Sequence, residues 1–104
     1  MQVPTLVTER REAIAELCRQ AHARRLDLFG SAVREDFDAA SSDLDFLVEF
    51  DELPPVRYAE AFFSLKQGLE RLFARPVDLV VERAIRNPYF KQRVSTERQR
   101  VYGA

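Results

Sequence analysis

Apolar residues recur along this chain with two periods, which predict an alternation of helices and strands. Residues 8–23 have the spacing of an amphipathic helix, in which Thr8 would cap the amino end. Pro54-Pro55 interrupts the chain, and residues 56–74 then predict the longest helix. The apolar stripe of that helix consists of Tyr58, Phe62, Leu65, Leu69 and Leu72, widened by Phe63 and Phe73.

Three shorter apolar runs predict strands, at residues 25–29, Leu44–Phe50 and Val77–Val81. Asn87-Pro88 would begin the last helix, with the asparagine as cap and the proline at the first helical position. The terminal Val101-Tyr102 pair would either dock on the core or lie in an interface. This order of elements predicts an α/β (α+β) sandwich, in which helices cover a small mixed sheet.

Asp43 and Asp45 lie two positions apart at the second predicted strand. Side chains at i and i+2 of a strand project from the same face, so the two carboxylates would lie side by side and repel each other. A bound cation removes this repulsion, and Mg²⁺ is usually held by carboxylates together with substrate phosphates. The pair therefore predicts a site for a metal ion and a phosphate.

Gly30-Ser31 follows the first predicted strand, where the glycine allows a sharp turn. Ser31 would open a short helix that ends at Arg34 or Glu35. The amide groups at a helix start, with a hydroxyl beside them, form an anion site suited to phosphate. The alternative is that Ser31 merely caps this helix. The downstream aspartates favour phosphate binding.

Taken together, Gly30-Ser31, a spacer and Asp43-Leu44-Asp45 in a hydrophobic strand resemble the motif of the DNA polymerase β-like nucleotidyltransferase superfamily. The short chain resembles one branch of it, the minimal nucleotidyltransferase (MNT) proteins. Many of these are antitoxins paired with a toxin that contains a HEPN domain. The later segment VDLVVERAIRNPYF, from Val77 to Phe90, is also similar to that family.

The resemblance assigns roles to two further residues. A third carboxylate of the superfamily lies on a strand beside the Asp-x-Asp strand, and Asp78 matches it; the alternative is an edge-strand acid that faces water. Arg34 matches a basic residue near the phosphates, although a solvated surface arginine is the competing interpretation.

Glu35 stands where the family often has glycine, which leaves the shape of this loop open. Asp36 and Asp38 are interpreted as acids of an exposed loop.

The resemblance also implies the reaction, a nucleotidyl transfer in which a hydroxyl attacks the α-phosphate of an NTP, ATP in the MNT branch. Two Mg²⁺ ions would be held by Asp43 and Asp45, and Asp78 would complete the site and could take the proton of the acceptor. Gly30 and Ser31 would bind the terminal phosphates and place the α-phosphate in line.

Length, charge and cysteine content exclude several other classes of protein and kinds of site. The chain has 104 residues, which predicts one domain spanning residues 1–104. A net charge of -1 gives no basis for bulk nucleic-acid binding. The single cysteine, Cys18, excludes an internal disulfide and a cysteine-based zinc cluster. We expect a cytoplasmic protein, because no segment has the character of a signal peptide or membrane span.

A chain this short has almost nothing left over to bind the acceptor, so we expect a macromolecular acceptor. In the MNT branch that would be the HEPN toxin, modified with AMP. Two alternatives stay open. The chain could neutralise its toxin simply by covering it, in which case its own catalytic site would be vestigial. It could also be a stand-alone nucleotide binder. The sequence leaves the oligomeric state open, a homo-oligomer included.

Overall fold

The structure is a computed structural model that describes residues 2–34 and 43–103. The expectations for Glu35, Asp36 and Asp38 lie outside these described residues. Four helices are α1 (Thr5–Thr8), α2 (Arg11–Gln20), α3 (Pro55–Phe73) and α4 (Pro88–Glu97). Four strands are β1 (Ala23–Phe29), β2 (Leu44–Phe50), β3 (Val77–Val81) and β4 (Gln99–Tyr102). Two 3₁₀ turns are Gly30–Val33 and Glu82–Ala84.

The strands form one mixed sheet in the order β3-β2-β1-β4. Strand β1 pairs antiparallel with both β2 and β4, whereas β2 and β3 are parallel. A parallel pair needs a crossover connection, which α3 supplies. The fold class expected from the sequence, a small mixed sheet covered by helices, is confirmed.

The two faces of the sheet differ in what covers them. On one face Leu44, Phe46, Val48 and Phe50 of β2 are fully buried in the main core. Helices α2 and α3 cover this face and contribute Ile14, Cys18, Leu65, Leu69 and Phe73 to that core. The opposite face carries a smaller cluster of Phe29, Leu47 and Val94, with Val80, Ile85 and Phe90 packed around it. Since β2 side chains alternate, Asp45 shares this second face with Leu47.

The amino-terminal helix begins later than expected. Thr8 belongs to α1, where its hydroxyl donates to the Thr5 carbonyl at 3.2 Å, and it does not cap α2. Helix α2 begins at Arg11 and has no side-chain cap. Its apolar stripe packs as predicted, and Cys18 is a buried core residue whose thiol pKa is raised by burial to about 12.

Helix α3 confirms most of its predicted stripe, with Leu65 and Leu69 fully buried. Phe63 is an exception, because it is 57% exposed and does not widen the buried face. None of the helices in the described part of the chain has the length and apolar character that a bilayer crossing requires.

The carboxyl-terminal region contains one element that the sequence did not indicate. Asn87 caps α4 as predicted, since its side-chain oxygen accepts from the amides of Tyr89 and Phe90. After α4, the chain continues as strand β4 and completes the sheet beside β1. The uncertainty about Val101-Tyr102 is thereby resolved in favour of docking, with Val101 buried.

Candidate active site

The turn after β1 brings the chain into close contact with β2. Gly30 has a φ of 75°, a left-handed conformation that side chains rarely adopt. A Cβ atom at Gly30 would collide with the carboxylate of Asp45. Glycine is therefore required here for two reasons, the backbone conformation and the close approach. Ser31 is the second residue of the 3₁₀ turn that follows.

Three predicted site residues meet at this end of the sheet. Asp45 pairs in register with Phe29 of β1, the residue directly before Gly30. On its other side, Asp45 pairs in register with Asp78 of the parallel strand β3. Asp43 lies just before β2 and is exposed. The register of the sheet thus places Gly30 and Asp78 on either side of Asp45.

The neighbouring carboxylates affect the ionisation of Asp45. The pKa of Asp45 is raised to about 6, first because the carboxyl is partly buried, and then because Asp78 and Asp43 repel its charged form. Arg34 and Arg93 act in the opposite direction and lower this pKa. A cation or a nearby guanidinium would therefore stabilise the ionised form of Asp45.

Asp78 lies on an edge strand and is exposed. This is the location that the water-facing alternative requires, and it also leaves the carboxylate accessible to a ligand. Among residues 2–34 and 43–103, no group of three or more histidine, cysteine, aspartate or glutamate side chains is already arranged to hold a metal ion. The arrangement fits Mg²⁺ bound by one or two carboxylates and completed by substrate phosphates.

Arg34 follows the 3₁₀ turn and pairs with a residue that sequence reasoning missed. Its Nη1 donates to Oε1 of Glu97 at 2.6 Å, and the Gly30 amide donates to Oε2 of the same carboxylate at 3.1 Å. Glu97 is 4% exposed and is the last residue of α4. An acid in the last turn opposes the helix dipole, and this unfavourable position was the available sequence signal.

These features match a known family along most of the chain. The model of the nucleotidyltransferase domain family matches residues 10–101, which include every residue of the candidate site. The chain belongs to this family. The expected identity as a nucleotidyltransferase is therefore confirmed, whereas the roles of individual site residues stay predictions.

Similar proteins indicate to which branch of the nucleotidyltransferase family this chain is related. A protein of Methanocaldococcus jannaschii, described as a candidate protein adenylyltransferase, is 39% identical over 74 residues, which are 71% of this chain and 71% of that protein. The solved structure of a candidate minimal nucleotidyltransferase has a TM-score of 0.72 and 35% identity, and the match covers 89% of this chain and 90% of that chain. The predicted resemblance to minimal nucleotidyltransferases is confirmed.

A second similar structure contains a partner protein. It is a complex of a tri-AMPylated HEPN toxin of Shewanella oneidensis with an MNT antitoxin. One chain of that complex matches this nucleotidyltransferase with a TM-score of 0.64 and 25% identity, and the match covers 94% of this chain and 73% of that chain.

A second buried acid of the nucleotidyltransferase lies on the same face of the sheet. Asp27 of β1 is 1% exposed, and its Oδ2 accepts from Nε of Arg98 at 2.5 Å while Oδ1 accepts from Arg100. Arg98 also donates to Glu82 at 2.6 Å. Both guanidinium groups therefore compensate the charge of Asp27. Within its apolar strand, Asp27 had the same sequence signal as Asp78, an acid that is costly to bury unless paired.

Proposed function

We propose that this chain transfers AMP from ATP to a hydroxyl group of a HEPN-domain toxin and so acts as its antitoxin. The observation that carries the proposal is the placement of Asp45 between Asp78 and the Gly30 turn. The adenylyltransferase description of a relative and the tri-AMPylated toxin in a similar complex support the choice of AMP and of the partner.

The proposed reaction is one displacement at the α-phosphorus of ATP. A bond forms between the acceptor oxygen and this phosphorus, and the bond to the β-phosphate oxygen breaks. Pyrophosphate leaves with the electron pair of that bond. The proton of the acceptor hydroxyl passes to a nearby carboxylate, for which the exposed Asp78 is the candidate.

Asp43, Asp45 and Asp78 would supply the carboxylates for Mg²⁺, one or two to each ion, together with phosphate oxygens, and the repulsion that Asp78 and Asp43 exert on Asp45 favours a cation there. When bound, it would neutralise the charge that develops on the phosphate oxygens. The chain itself would place the substrate. Ser31 in the 3₁₀ turn would bind terminal phosphates, and Arg34 would contribute positive charge near Asp45.

Arg93 extends the positive charge on this face. Its guanidinium lies 5.4 Å from the centre of the Phe90 ring, and Phe90 packs edge-on against Phe29 at 6.0 Å. Phe29 is the register partner of Asp45, and the charge of Arg93 lowers the pKa of Asp45, which supports a position of Arg93 near this carboxylate. Arg93 would attract the anionic nucleotide toward Asp45.

The test is to incubate the purified chain with α-labelled ATP, Mg²⁺ and a HEPN-domain protein encoded beside it. We expect label to pass to the HEPN protein, with a mass increase of one or more AMP groups. The Asp43→Asn, Asp45→Asn double variant should transfer none. Asp51→Asn is the matched control, since Asp51 is an exposed carboxylate beyond the other end of β2.

The three interpretations give different results in this experiment. Binding of the HEPN protein without transfer of label would favour an antitoxin that acts by covering its partner. Retention of ATP without complex formation would favour a stand-alone nucleotide binder. Transfer by the double aspartate variant would contradict the proposed site.

A further inference from the structure

We propose that Glu97 positions the phosphate-binding turn, by which we mean the 3₁₀ turn Gly30–Val33 and the following Arg34. This inference rests on the proposed function. The carboxylate of Glu97 accepts hydrogen bonds from the first and the last residue of this turn. One oxygen accepts from the Gly30 amide at 3.1 Å, and the other accepts from Arg34 at 2.6 Å. These partners lie more than sixty positions away along the chain, with separations of 67 and 63 residues.

Because Glu97 is buried, its carboxylate depends on these two hydrogen bonds. At 4% exposure, an ionised carboxylate is costly unless donors satisfy it. The two donors are a backbone amide and a guanidinium, and the second makes a charge-assisted bond. Loss of the negative charge would therefore weaken the hold on both ends of the turn.

The backbone around Glu97 is fixed by a separate set of contacts. The next residue, Arg98, bridges Asp27 at 2.5 Å and Glu82 at 2.6 Å. One residue later, β4 begins to pair with β1. Glu97 is thus held at the junction of α4 and the sheet, from which its side chain reaches the turn.

The geometry of Gly30 explains what this carboxylate positions. The Cα of Gly30 faces the carboxylate of Asp45, so the residue lies between two acids, Asp45 and Glu97. Because its amide donates to Glu97, Gly30 serves the site by shaping the turn. Ser31 and Arg34 would then make the contacts to the phosphates. Glu97 orients Arg34, whose positive charge acts on Asp45.

The experiment compares the affinities for ATP and AMP of the wild type and of Glu97→Gln, with Mg²⁺ present. We expect Glu97→Gln to weaken ATP binding by about tenfold and AMP binding by no more than about twofold, because the turn is placed for the terminal phosphates. Glu49→Gln is the matched control. Glu49 is a half-buried carboxylate that is also paired with arginines, Arg24 at 3.5 Å and Arg25, but neither arginine belongs to the turn or contacts Glu97. It should leave the ratio of the two affinities unchanged.

A second comparison shows whether Glu97 acts through Arg34. In an Arg34→Gln background, Glu97→Gln should weaken ATP binding much less than it does in the wild type. Should Glu97→Gln fail to fold, Glu97→Asp keeps the charge and shortens the reach, and it should lower the ATP preference in the same direction.

An unchanged ratio in the folded variant, or tighter ATP binding, would overturn the role of Glu97. Tighter binding would mean that the carboxylate competes with phosphate for Arg34. A wild type that neither binds nor transfers nucleotide would overturn the proposed function and this inference together. Wild-type binding with an unchanged ratio in the variant would overturn only this inference.

Discussion

Asp45 and Asp78 are register partners on neighbouring parallel strands, and the charge of Asp78 makes ionisation of Asp45 less favourable. Partial burial is the larger cause, and together with Asp78 and Asp43 it raises the pKa of Asp45 to about 6. The ordinary value is 3.8, so the folded chain holds the proton more tightly than the unfolded chain. The ligand-free site therefore has a free-energy cost that depends on pH.

The first prediction concerns how the free energy of unfolding depends on pH. Since the folded pKa is above the unfolded one, the free energy of unfolding should fall as pH rises from about 4 to about 6. Asp45→Asn removes this titration and should stabilise the metal-free protein at pH 7 by roughly 1–2 kcal/mol after allowance for solvent screening. Thermal denaturation of both proteins between pH 4 and pH 7 measures the difference, which should grow with pH. A constant difference across this range would contradict the prediction.

The second prediction concerns ligand-dependent stability. Under the proposed function, Mg²⁺ with ATP should bind the folded chain and raise its melting temperature by mass action, with about 2.7 kcal/mol of stabilisation at a hundred times Kd. The Asp43→Asn, Asp45→Asn variant should fold and lose this shift. Differential scanning calorimetry with and without Mg²⁺ and ATP makes the comparison. A double variant that keeps the full shift would place the nucleotide elsewhere.

The third prediction separates the two interpretations of Ser31. If its hydroxyl binds terminal phosphates, Ser31→Ala should weaken ATP binding by about tenfold and AMP binding far less. If Ser31 only stabilises the 3₁₀ turn, the two affinities should fall equally. Isothermal titration with each nucleotide provides the answer.

The fourth prediction distinguishes an enzyme from an antitoxin that acts by covering its partner. Asp78→Asn removes the proposed metal ligand or base at an exposed position, so transfer of AMP should fall by at least about a hundredfold while complex formation persists. A cell-rescue assay should be run beside a mass measurement of the partner. Full rescue without added AMP would overturn the enzymatic interpretation.

The fifth prediction uses the close approach of Gly30 to Asp45. Gly30→Ala should destabilise the protein by about 1–3 kcal/mol, because alanine disfavours a φ of 75° and its Cβ displaces the Asp45 carboxylate. Nucleotide binding should fall with it. Gly68→Ala is the control, since a Cβ there meets only the flexible end of Leu17 on the opposite face of the sheet. Equal loss of nucleotide binding in both variants would mean that the Gly30 contact has no special part in the site.

Local patterns were sufficient to predict most of the elements and the centre of the site. Strands β2 and β3 and the cap of α4 agree with expectation, because alternation, breakers and capping residues act over a few positions. The strand period predicted that Asp43 and Asp45 project side by side; Asp43 lies just before β2, and its charge contributes to the raised pKa of Asp45. That Asp78 lies beside Asp45 was implied by resemblance, and the register of β2 and β3 confirms this neighbourhood.

The sequence by itself determined which residues we propose for the chemistry, namely the glycine turn, Asp43 directly before β2 and Asp45 within it. Only the tertiary structure decided how they are supported. The four-residue strand β4 has too short a pattern to predict, and it forms because it pairs with β1 more than seventy positions earlier. Burial of Asp27 and Glu97 depends on arginines 71 and 63 positions away. Such compensation of charge is set by contacts between distant segments, which local residue patterns do not encode.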